Sequence, residues 1–373
     1  MPSRRRRRRA AHCRPQPTWH NDRPHGDRAS AHQPKEHDTC TRVFSPAYAE
    51  AGYWYDQIKQ RNDCEIVACV EPNESNRKRA VDDRGVPAQT VCASFDEAVA
   101  NDDGIHFVLD VTPPAVHHKV AEQAFAHKLH ILGEKPLSDD YAIASRVVDQ
   151  GRAAGVKHMI TQNYRFTPQP RTTRRLLAEG LIGQPGQCDV RFYMNWADIP
   201  GSHYVTQPYM LINDMMVHHF DMMRYVLGRE PLSVQAITWN HPWGWHKGDA
   251  AHAIVFRYDG GLVATHVSVG CAVGSVTSWN GEWRIEGPRG SIDWQGGDIR
   301  HVHRARTDKP IDEQVALDEV KPGVEAMVDE FFAAIDEDRE PECSAADNLK
   351  SVAMVFAAIK SAREQREVNL SDL

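Results

Sequence analysis

A lysine at the end of an apolar run is the first residue of this sequence whose position indicates chemistry. His130 to Leu132 is strand-like, and Gly133-Glu134-Lys135-Pro136-Leu137 follows. Because proline donates no backbone hydrogen bond and favours extended geometry in the residue before it, Lys135 should stand at the carboxyl end of a strand. Ligands of open α/β sheets bind in the crevice outside those ends. Lys135 is therefore either a surface charge or a group that contacts substrate and cofactor.

A second chemical signal is the run Asp214-Met-Met-Val-His218-His219-Phe220-Asp221. On one continuous helix Asp214 and His218 would share a face, one turn apart. A carboxylate beside an imidazole orients the ring and holds its pKa near neutrality, as a general base requires. Since the neighbouring residues are mostly apolar, we expect this pair to face a cleft rather than to form the polar side of a surface helix.

The same polar residues could instead bind a metal. Two aspartates and two histidines are suitable ligands for zinc. No paired Cys or His spacing elsewhere in the sequence completes such a site. We therefore expect no metal, and we expect His219 to be structural.

The elements that must position these residues change character along the chain. Residues 45–163 alternate apolar strands with helices, which predicts an α/β fold with a Rossmann-like parallel sheet. After Gly186 the pattern becomes strands separated by turns, which predicts an α+β domain with a mostly antiparallel open sheet. The expected organisation is an unfolded segment at 1–44, a nucleotide-binding domain at 45–163 and a substrate and oligomerisation domain at 164–373.

Composition excludes several classes of protein. The chain has 373 residues, 41% hydrophobic and 25% charged, with eight scattered cysteines and no CxxC pair. This is typical of a globular cytoplasmic protein with reduced thiols, and no run is long enough to cross a bilayer. The net charge of −7 comes from a basic segment of about +6 at residues 1–40 and a body of about −13. Such an acidic body argues against binding nucleic acid.

The segment 1–44 has three possible interpretations. It begins with six consecutive arginines and has no hydrophobic periodicity, so we expect it to be disordered. It could be a basic targeting or nucleic-acid-binding arm, or a twin-arginine signal, although no apolar region follows the arginines. We favour a third interpretation, translation from a wrong start or frame, because GC-rich DNA read out of frame is rich in Arg, Pro, His and Ala.

The glycine-rich loop that usually begins a dinucleotide-binding fold is missing from the expected place. Such a loop, G-x-G-x-x-G, follows the first strand and lets backbone amides approach the pyrophosphate. Here Gly52 could be its third glycine, but Ser45 to Glu50 contains none. Thr41 to Phe44 is too short to be a convincing first strand. The sequence therefore predicts that the first strand and the loop are absent.

An acidic residue marks the expected position of the cofactor's adenosine ribose. Glu71 ends the apolar run that begins at Glu65. In a Rossmann unit an acid at this point accepts hydrogen bonds from the ribose hydroxyls and repels a 2′-phosphate. NAD is therefore expected rather than NADP, although Arg77 and Lys78 are close.

Taken together, these motifs resemble the Gfo/Idh/MocA oxidoreductases, the group of glucose–fructose oxidoreductase and inositol dehydrogenase. The similarity covers roughly residues 52–370. It is carried by Glu65–Pro72, Val111–His117, Gly133–Leu137, Gln162–Phe166, the Asp214-x3-His218-x2-Asp221 pattern, Glu286–Ser291 and Ser344–Asp347. Each piece is weak alone, but their order and spacing are specific.

The resemblance implies roles for individual residues. Lys135 would contact the nicotinamide ribose and the substrate hydroxyl, His218 would take the hydroxyl proton, and Asp214 would be the acidic partner of His218. The remaining implied cofactor contacts are Thr112, Pro113, His117, Glu134, Pro136 and Arg165. Arg165 could instead only pair with an acid at the domain junction.

The expected activity is NAD-dependent transfer of a hydride from a hydroxyl carbon of a sugar, polyol or related cyclic compound. Trp196, His203, Tyr204 and His218 are the expected substrate contacts, although the tryptophan could simply fill the core. The alternative is a non-catalytic sensor of the same fold, which the missing loop favours and the intact Lys135 disfavours. One face of an open sheet needs cover, so we expect a homodimer or homotetramer.

Overall fold

The computed structural model describes residues 40–44, 54, 56–101, 104–196, 203–303, 309–321 and 323–373, with only the backbone for 40–44 and 203. The segment 1–39, for which disorder or a wrong frame is expected, lies outside these ranges, as does Gly52. Two sheets and the helices packed against them make up the described part.

The first sheet is parallel. Its strands are β1 (Cys40–Phe44), β2 (Cys64–Val70), β3 (Val91–Cys92), β4 (Ile105–Asp110), β5 (His130–Gly133) and β6 (His158–Ile160). The helices between them are α1 (Glu74–Arg84), α2 (Phe95–Asn101), α3 (His117–Ala126) and α4 (Tyr141–Ala154). The spatial order β3-β2-β1-β4-β5-β6 is that of the doubly wound sheets that bind dinucleotides. The Rossmann-like prediction is confirmed.

The prediction that the first strand is absent was wrong. Cys40–Phe44 forms a strand in the centre of the sheet, paired in parallel with β2 on one side and β4 on the other. Five residues are enough for a strand of ordinary length, and Thr, Val and Phe favour extended structure. The strand is hard to recognise in the sequence because the residues before it have no strand-like composition. The parallel sheet therefore begins at Cys40, not at residue 45.

The second sheet is mostly antiparallel, as predicted. Its strands are β7 (Gln187–Tyr193), β8 (Ser233–Trp239), β9 (Ala251–Arg257), β10 (Val263–Val269), β11 (Glu282–Gly287), β12 (Gly290–Gln295), β13 (Asp298–His303), β14 (Ile311–Val315) and β15 (Val368–Asn369). They lie in the order β14-β13-β12-β11-β7-β10-β9-β8-β15. Only the β7–β10 pair is parallel among these described strands.

Helices cover one face of the second sheet. They are α5 (Pro168–Ala178), α6 (Met210–Asp214), α7 (Met216–Leu227) and α9 (Ala345–Glu364). The remaining helix, α8 (Gly323–Asp336), packs on the parallel sheet, where Phe331 contacts Phe107 of β4. Every residue of α7 is buried, with α9 against it. The helix expected to run continuously through Asp214 and His218 is divided at Met215 into α6 and α7. None of the helices among the described residues has the length and apolarity needed to span a membrane.

Three histidines form a buried chain of hydrogen bonds under α7. His219 Nε2 lies 3.0 Å from the carbonyl oxygen of Trp279, and His219 Nδ1 lies 3.0 Å from His266 Nε2. His266 Nδ1 lies 3.0 Å from His252 Nε2. If each neutral ring carries its proton on Nε2, His219 donates to Trp279 O, His266 donates to His219 Nδ1 and His252 donates to His266 Nδ1. Burial lowers the pKa of His219 to about 4 and that of His252 to about 3, which keeps the rings neutral.

These buried histidines predict that acid destabilises the protein. The pKa of His158 also falls from 6.5 to about 3, first through burial and then through His117. Because the folded pKa lies below the unfolded one, the unfolded chain takes up the proton first. Stability should therefore fall between pH 6.5 and 3, by up to about 1.4 kcal/mol per pH unit per histidine.

His158→Phe should reduce by about one the number of protons that the chain takes up on unfolding in acid, so the free energy of unfolding should depend less steeply on pH. Urea unfolding at pH values from 4.5 to 8 measures the slope. Val147→Ala, which removes core methyls but keeps every histidine, should lower the whole curve without changing its slope. An equal slope in wild type and His158→Phe would contradict the expectation.

Candidate functional site

A cavity of about 410 Å³ lies at the carboxyl ends of β4 and β5. The sheet contributes Thr112 and Lys135 to its wall, and helices α6, α7 and α9 contribute Asp214, Val217 and Phe356. This is the edge at which open α/β sheets bind ligands. The two chemical signals of the sequence, more than seventy positions apart, thus meet at one cavity.

Lys135 reaches from the parallel sheet to the second domain. The backbone N–H of Glu134 continues the β5 ladder by donating to Asp110 O at 2.8 Å, and Lys135 leaves the sheet directly afterwards. Its Nζ donates to Asp214 Oδ1 at 2.9 Å and to Asp214 O at 3.3 Å. About a fifth of each side chain is exposed, so both remain accessible from the cavity.

Asp214 serves Lys135 and not His218, which corrects the expected pairing. Its other oxygen, Oδ2, accepts a hydrogen bond from Tyr204 at 3.2 Å. Lys135 and Tyr204 thus use both carboxylate oxygens, and among the described residues the His218 ring has its hydrogen bond to Gln162 instead.

Gln162 is the hydrogen-bond partner of His218, and sequence reasoning did not single it out. His218 Nδ1 lies 2.9 Å from Gln162 Oε1, an acceptor, so Nδ1 carries the proton and Nε2 keeps its lone pair. The ring stacks on Tyr164, with centroids 4.4 Å apart and planes 10° from parallel. The signal that could have found Gln162 is its position just after β6, at another strand end.

The surroundings hold His218 neutral. Burial, the charge of Lys135 and His219 together lower the pKa of His218 well below its usual value. Only 6% of the residue is exposed. Burial and the Asp214 charge raise the pKa of the Tyr164 hydroxyl, so it stays protonated. An uncharged imidazole with a free Nε2 can accept a proton, which an imidazolium cannot.

Changing Gln162 should alter proton transfer without much change in substrate affinity. Gln162→Met removes the acceptor at similar size, so the ring loses its fixed tautomer and kcat should fall about 10- to 100-fold with KM nearly unchanged. Gln162→Glu places a negative charge beside Nδ1, which raises the pKa of His218 and should move the acidic limb of the kcat profile to higher pH.

Steady-state kinetics from pH 5.5 to 9.5 measure both effects. Gln123→Glu, at an exposed position of α3, is the matched charge control and should leave the profile in place. An unchanged pH profile in Gln162→Glu, with kcat preserved in Gln162→Met, would remove Gln162 from the account.

Glu71 fits the expected contact with a cofactor ribose. It lies just after β2 and is 3% exposed. Oε1 accepts from the backbone N–H of Asn73 at 2.8 Å, whereas Oε2 is buried without a partner among the described residues. A buried, unpaired carboxylate oxygen is costly unless a ligand donor fills it, and ribose hydroxyls are such donors. Arg77 is held by the carbonyls of Glu71 and Pro72, at 2.9 and 2.7 Å.

The residues after β4 form a loop that is held by its own hydrogen bonds, so not all of its polar groups are available to a ligand. Asp110 Oδ1 accepts from Thr112 N at 3.0 Å and from Thr112 Oγ1 at 2.6 Å. The His117 ring bridges Thr112 O at 2.7 Å and Pro136 O at 2.9 Å. His117 is buried between the two loops, and both of its ring nitrogens face backbone carbonyl oxygens, so the ring is not free for the expected cofactor contact. Pro113 is extended and precedes a short 3₁₀ turn.

Glu134 and Pro136 frame Lys135 at the cavity wall. Glu134 Oε1 accepts from Trp54 Nε1 at 2.5 Å, and Oε2 accepts from Lys135 N at 3.1 Å. Trp54 is buried and was not expected to take part. The acid thus fixes the backbone from which Lys135 extends.

Arg165 does not face the cavity, and its alternative role as an ion-pair partner is the one observed. Its guanidinium pairs with Asp221, with Oδ1 2.6 Å from Nη2, and with Asp347 Oδ2 at 2.6 Å. Arg224 also binds Asp347 at 2.7 Å. Its donors are committed to a network that joins α7 and α9, so the side chain is not free for the expected cofactor contact.

Only some of the expected substrate contacts lie at the cavity wall. Tyr204 lines the cavity and bonds Asp214. Trp196 packs edge-on against Tyr204, with centroids 5.8 Å apart, and so lies one layer behind the wall. The side chain of His203 lies outside the described part. Gln207 and Asn213 line the cavity and were not predicted.

The zinc alternative fails at this site because the donor groups point to different partners. Asp214 binds Lys135, and Asp221 binds Arg165. His219 is used by Trp279 and His266. The four side chains thus do not converge on one point.

Comparison with known families agrees with the fold. Residues 46–162 match the model described as "Oxidoreductase family, NAD-binding Rossmann fold". Residues 171–293 match the "GFO/IDH/MocA C-terminal domain". The two matches together cover more than half of the chain.

Curated relatives carry dehydrogenase names. Inositol 2-dehydrogenase of Arthrobacter sp. (strain FB24) is 29% identical over 221 residues, which are 58% of this chain and 63% of that protein. D-apiose dehydrogenase of Rhizobium rhizogenes is 24% identical, covering 73% of this chain and 81% of the relative.

Solved structures share the fold. An oxidoreductase from Agrobacterium radiobacter, crystallised with NAD+, L-tartaric acid and magnesium, has a TM-score of 0.78 at 21% identity, covering 89% of this chain and 99% of that one. A putative myo-inositol dehydrogenase from Sinorhizobium meliloti has a TM-score of 0.71 at 20% identity, covering 89% and 100%. From its two matched domains and its sheet order, the chain belongs to the Gfo/Idh/MocA family of NAD-binding oxidoreductases.

Proposed function

We propose that the protein oxidises a hydroxyl carbon of a sugar, polyol or related cyclic compound with NAD. The observation that carries the proposal is the ion pair of Lys135 and Asp214 at the cavity wall, with the buried, neutral His218 close enough to feel the charge of Lys135. The names of the relatives, which act on inositol and apiose, support this substrate class. A cavity with both polar and apolar walls suits a small hydroxylated ligand.

NAD would be held along the carboxyl ends of β2, β4 and β5. Glu71 Oε2 would accept from the adenosine ribose, and the loop of Thr112 and Pro113 would flank the nicotinamide side with Glu134 and Pro136. When bound, NAD supplies the hydride acceptor. Glu71 would lie close to a 2′-phosphate and repel it, which favours NAD over NADP.

Three side chains divide the remaining chemistry. The Lys135 ammonium would donate to the substrate oxygen and stabilise its developing negative charge. His218 Nε2 would take the hydroxyl proton as the C–H hydride departs and the carbonyl forms. Asp214 would hold Lys135 in position and balance its charge, and Gln162 would fix the His218 tautomer.

Absorbance at 340 nm tests the activity. The full-length protein, with NAD or NADP, is given a panel of inositols, aldoses, alditols and hydroxy acids. We expect NADH from at least one cyclic or sugar substrate and much slower reduction of NADP. NAD and sugar binding without turnover would instead identify a ligand sensor, and failure to bind NAD would refute the proposal.

We further propose that the exposed face of the second sheet binds another copy of the chain. Ile237, Ala253 and Val267 lie side by side across β8, β9 and β10, and Ile237 is 63% exposed. An apolar row on an open sheet is well suited to a symmetric contact. Ile237→Lys should lower the mass measured by light scattering, while Leu373→Lys should not. An unchanged mass in Ile237→Lys would contradict this.

A cytoplasmic location is also proposed. Five cysteines of the described ranges, Cys69, Cys92, Cys188, Cys271 and Cys343, are buried free thiols. Disulfides are uncommon in that compartment. Fractionation of the native cells should recover the protein with the cytoplasmic enzymes, and recovery from an exported fraction would contradict this.

A further inference from the structure

Three metal-binding side chains meet on one face of the β13–β14 ribbon, at the edge of the second sheet. His301 and His303 are two residues apart on β13 and so point to the same side. Glu313 on β14 pairs directly with His301 in the antiparallel register, which puts it on that side as well. One ligand atom from each of the three lies within 4.8 Å of the others.

On the opposite face of the same ribbon, the polar side chains are paired with one another. Arg300 pairs with Asp312 at 2.7 Å, and Gln314 donates to Asp298 at 3.1 Å. On the first face, neither histidine nor Glu313 has a hydrogen bond or ion pair to any other residue of the described ranges. His301 Nε2 is in addition buried and unpartnered.

An unpaired buried nitrogen needs an explanation, since such groups normally have a partner. A water or an ion would supply one. The stacked rings of His301 and His303, 4.8 Å apart at centroids and 17° from parallel, bring a second imidazole to the same place. Glu313 adds the negative charge that two neutral imidazoles lack.

We propose that His301, His303 and Glu313 bind a divalent transition-metal ion of the zinc type. Two imidazoles and a carboxylate are a ligand set that zinc accepts, with a fourth position left for water. Tetrahedral ligands at about 2.0–2.2 Å from zinc stand about 3.3 Å apart. The three atoms therefore need to approach by about 1.5 Å, which rotation of the exposed Glu313 and of His303 supplies. The ion would link the edge strand to its neighbour, and none of its three ligands lines the catalytic cavity.

Imidazole NMR with zinc itself tests the site within the full chain. Residues 1–40 also contain histidines and cysteines, so a count of bound zinc alone is not sufficient. In protein labelled with ¹⁵N on histidine, substoichiometric zinc should shift the resonances of His301 and His303. Each resonance is assigned by its loss in His301→Asn or His303→Asn.

Equilibrium dialysis gives the second readout. His301→Asn/His303→Asn should lose one zinc equivalent, with at least 100-fold weaker binding, and Glu313→Gln should weaken binding about 10-fold. Arg300→Gln, on the other face of β13, should bind like wild type. The proposal is overturned if saturating zinc leaves both wild-type resonances unchanged, a result that does not depend on whether any variant folds. Equal zinc binding by a folded double variant overturns it too.

Discussion

His218→Ala should lower kcat by about 10²- to 10⁴-fold while NAD affinity and the folded state are retained. The physical reason is that the neutral ring, with Nδ1–H fixed by Gln162, is the group placed to take the hydroxyl proton. Removing it leaves only water as the acceptor. The loss should be partly recovered above pH 9, where hydroxide substitutes for the base.

Stopped-flow absorbance and NAD titration by protein fluorescence measure the two quantities. His127→Ala is the matched control, since His127 is exposed near the amino-terminal edge of β5, opposite the cavity. It should leave kcat within about twofold of wild type. If His218→Ala retains the wild-type kcat, His218 is not the base.

Lys135→Met should lower kcat/KM by about 10²- to 10³-fold and weaken substrate binding at the same time. Methionine keeps the length and loses the charge, so the developing alkoxide has no cation to stabilise it. Asp214 would also lose its partner at a site where about a fifth of each side chain is exposed. A modest loss of stability should therefore accompany the kinetic effect.

Lys350→Met is the control for Lys135→Met, because it removes a lysine from an ordinary surface ion pair. Lys350 pairs with Glu230 at 3.2 Å, and both are about half exposed. Its loss should cost no more than about 1 kcal/mol of stability and leave turnover unchanged. If Lys135→Met likewise affects only the free energy of unfolding, Lys135 belongs to the scaffold.

The sequence was sufficient for the position of Lys135 and for the fold class. A proline after an apolar run places a lysine at a strand end by backbone sterics alone, and the structure has Lys135 at the cavity after β5. The alternation of strands and helices similarly predicts a parallel sheet. Both signals are local, so they can be seen in one sequence.

The pairing of polar groups could not be predicted because it depends on partners that are distant in sequence. Lys135 reaches Asp214 from the end of β5, and Gln162 reaches His218 from the end of β6. As a result Asp214 was assigned to His218, and Gln162 was passed over. Arg165 and His117 were assigned to the cofactor for a related reason: sequence shows a polar residue near a strand end but not which way its side chain turns.

The first strand was missed because its pairing partners supply its stability. Five residues have too little periodicity to be recognised alone, yet Cys40–Phe44 lies between β2 and β4 and pairs with both. Long-range hydrogen bonds of this kind have no trace in local composition.

Deuterium transfer tests the central claim most directly. A substrate found in the NAD panel is prepared with deuterium on its hydroxyl carbon and given to wild type and to Lys135→Met with NAD. We predict that mass spectrometry finds the deuterium in the reduced nicotinamide, at a rate at least 10²-fold lower in the variant. NADH without deuterium, or equal transfer by both proteins, would contradict hydride transfer at the site of Lys135, Asp214 and His218.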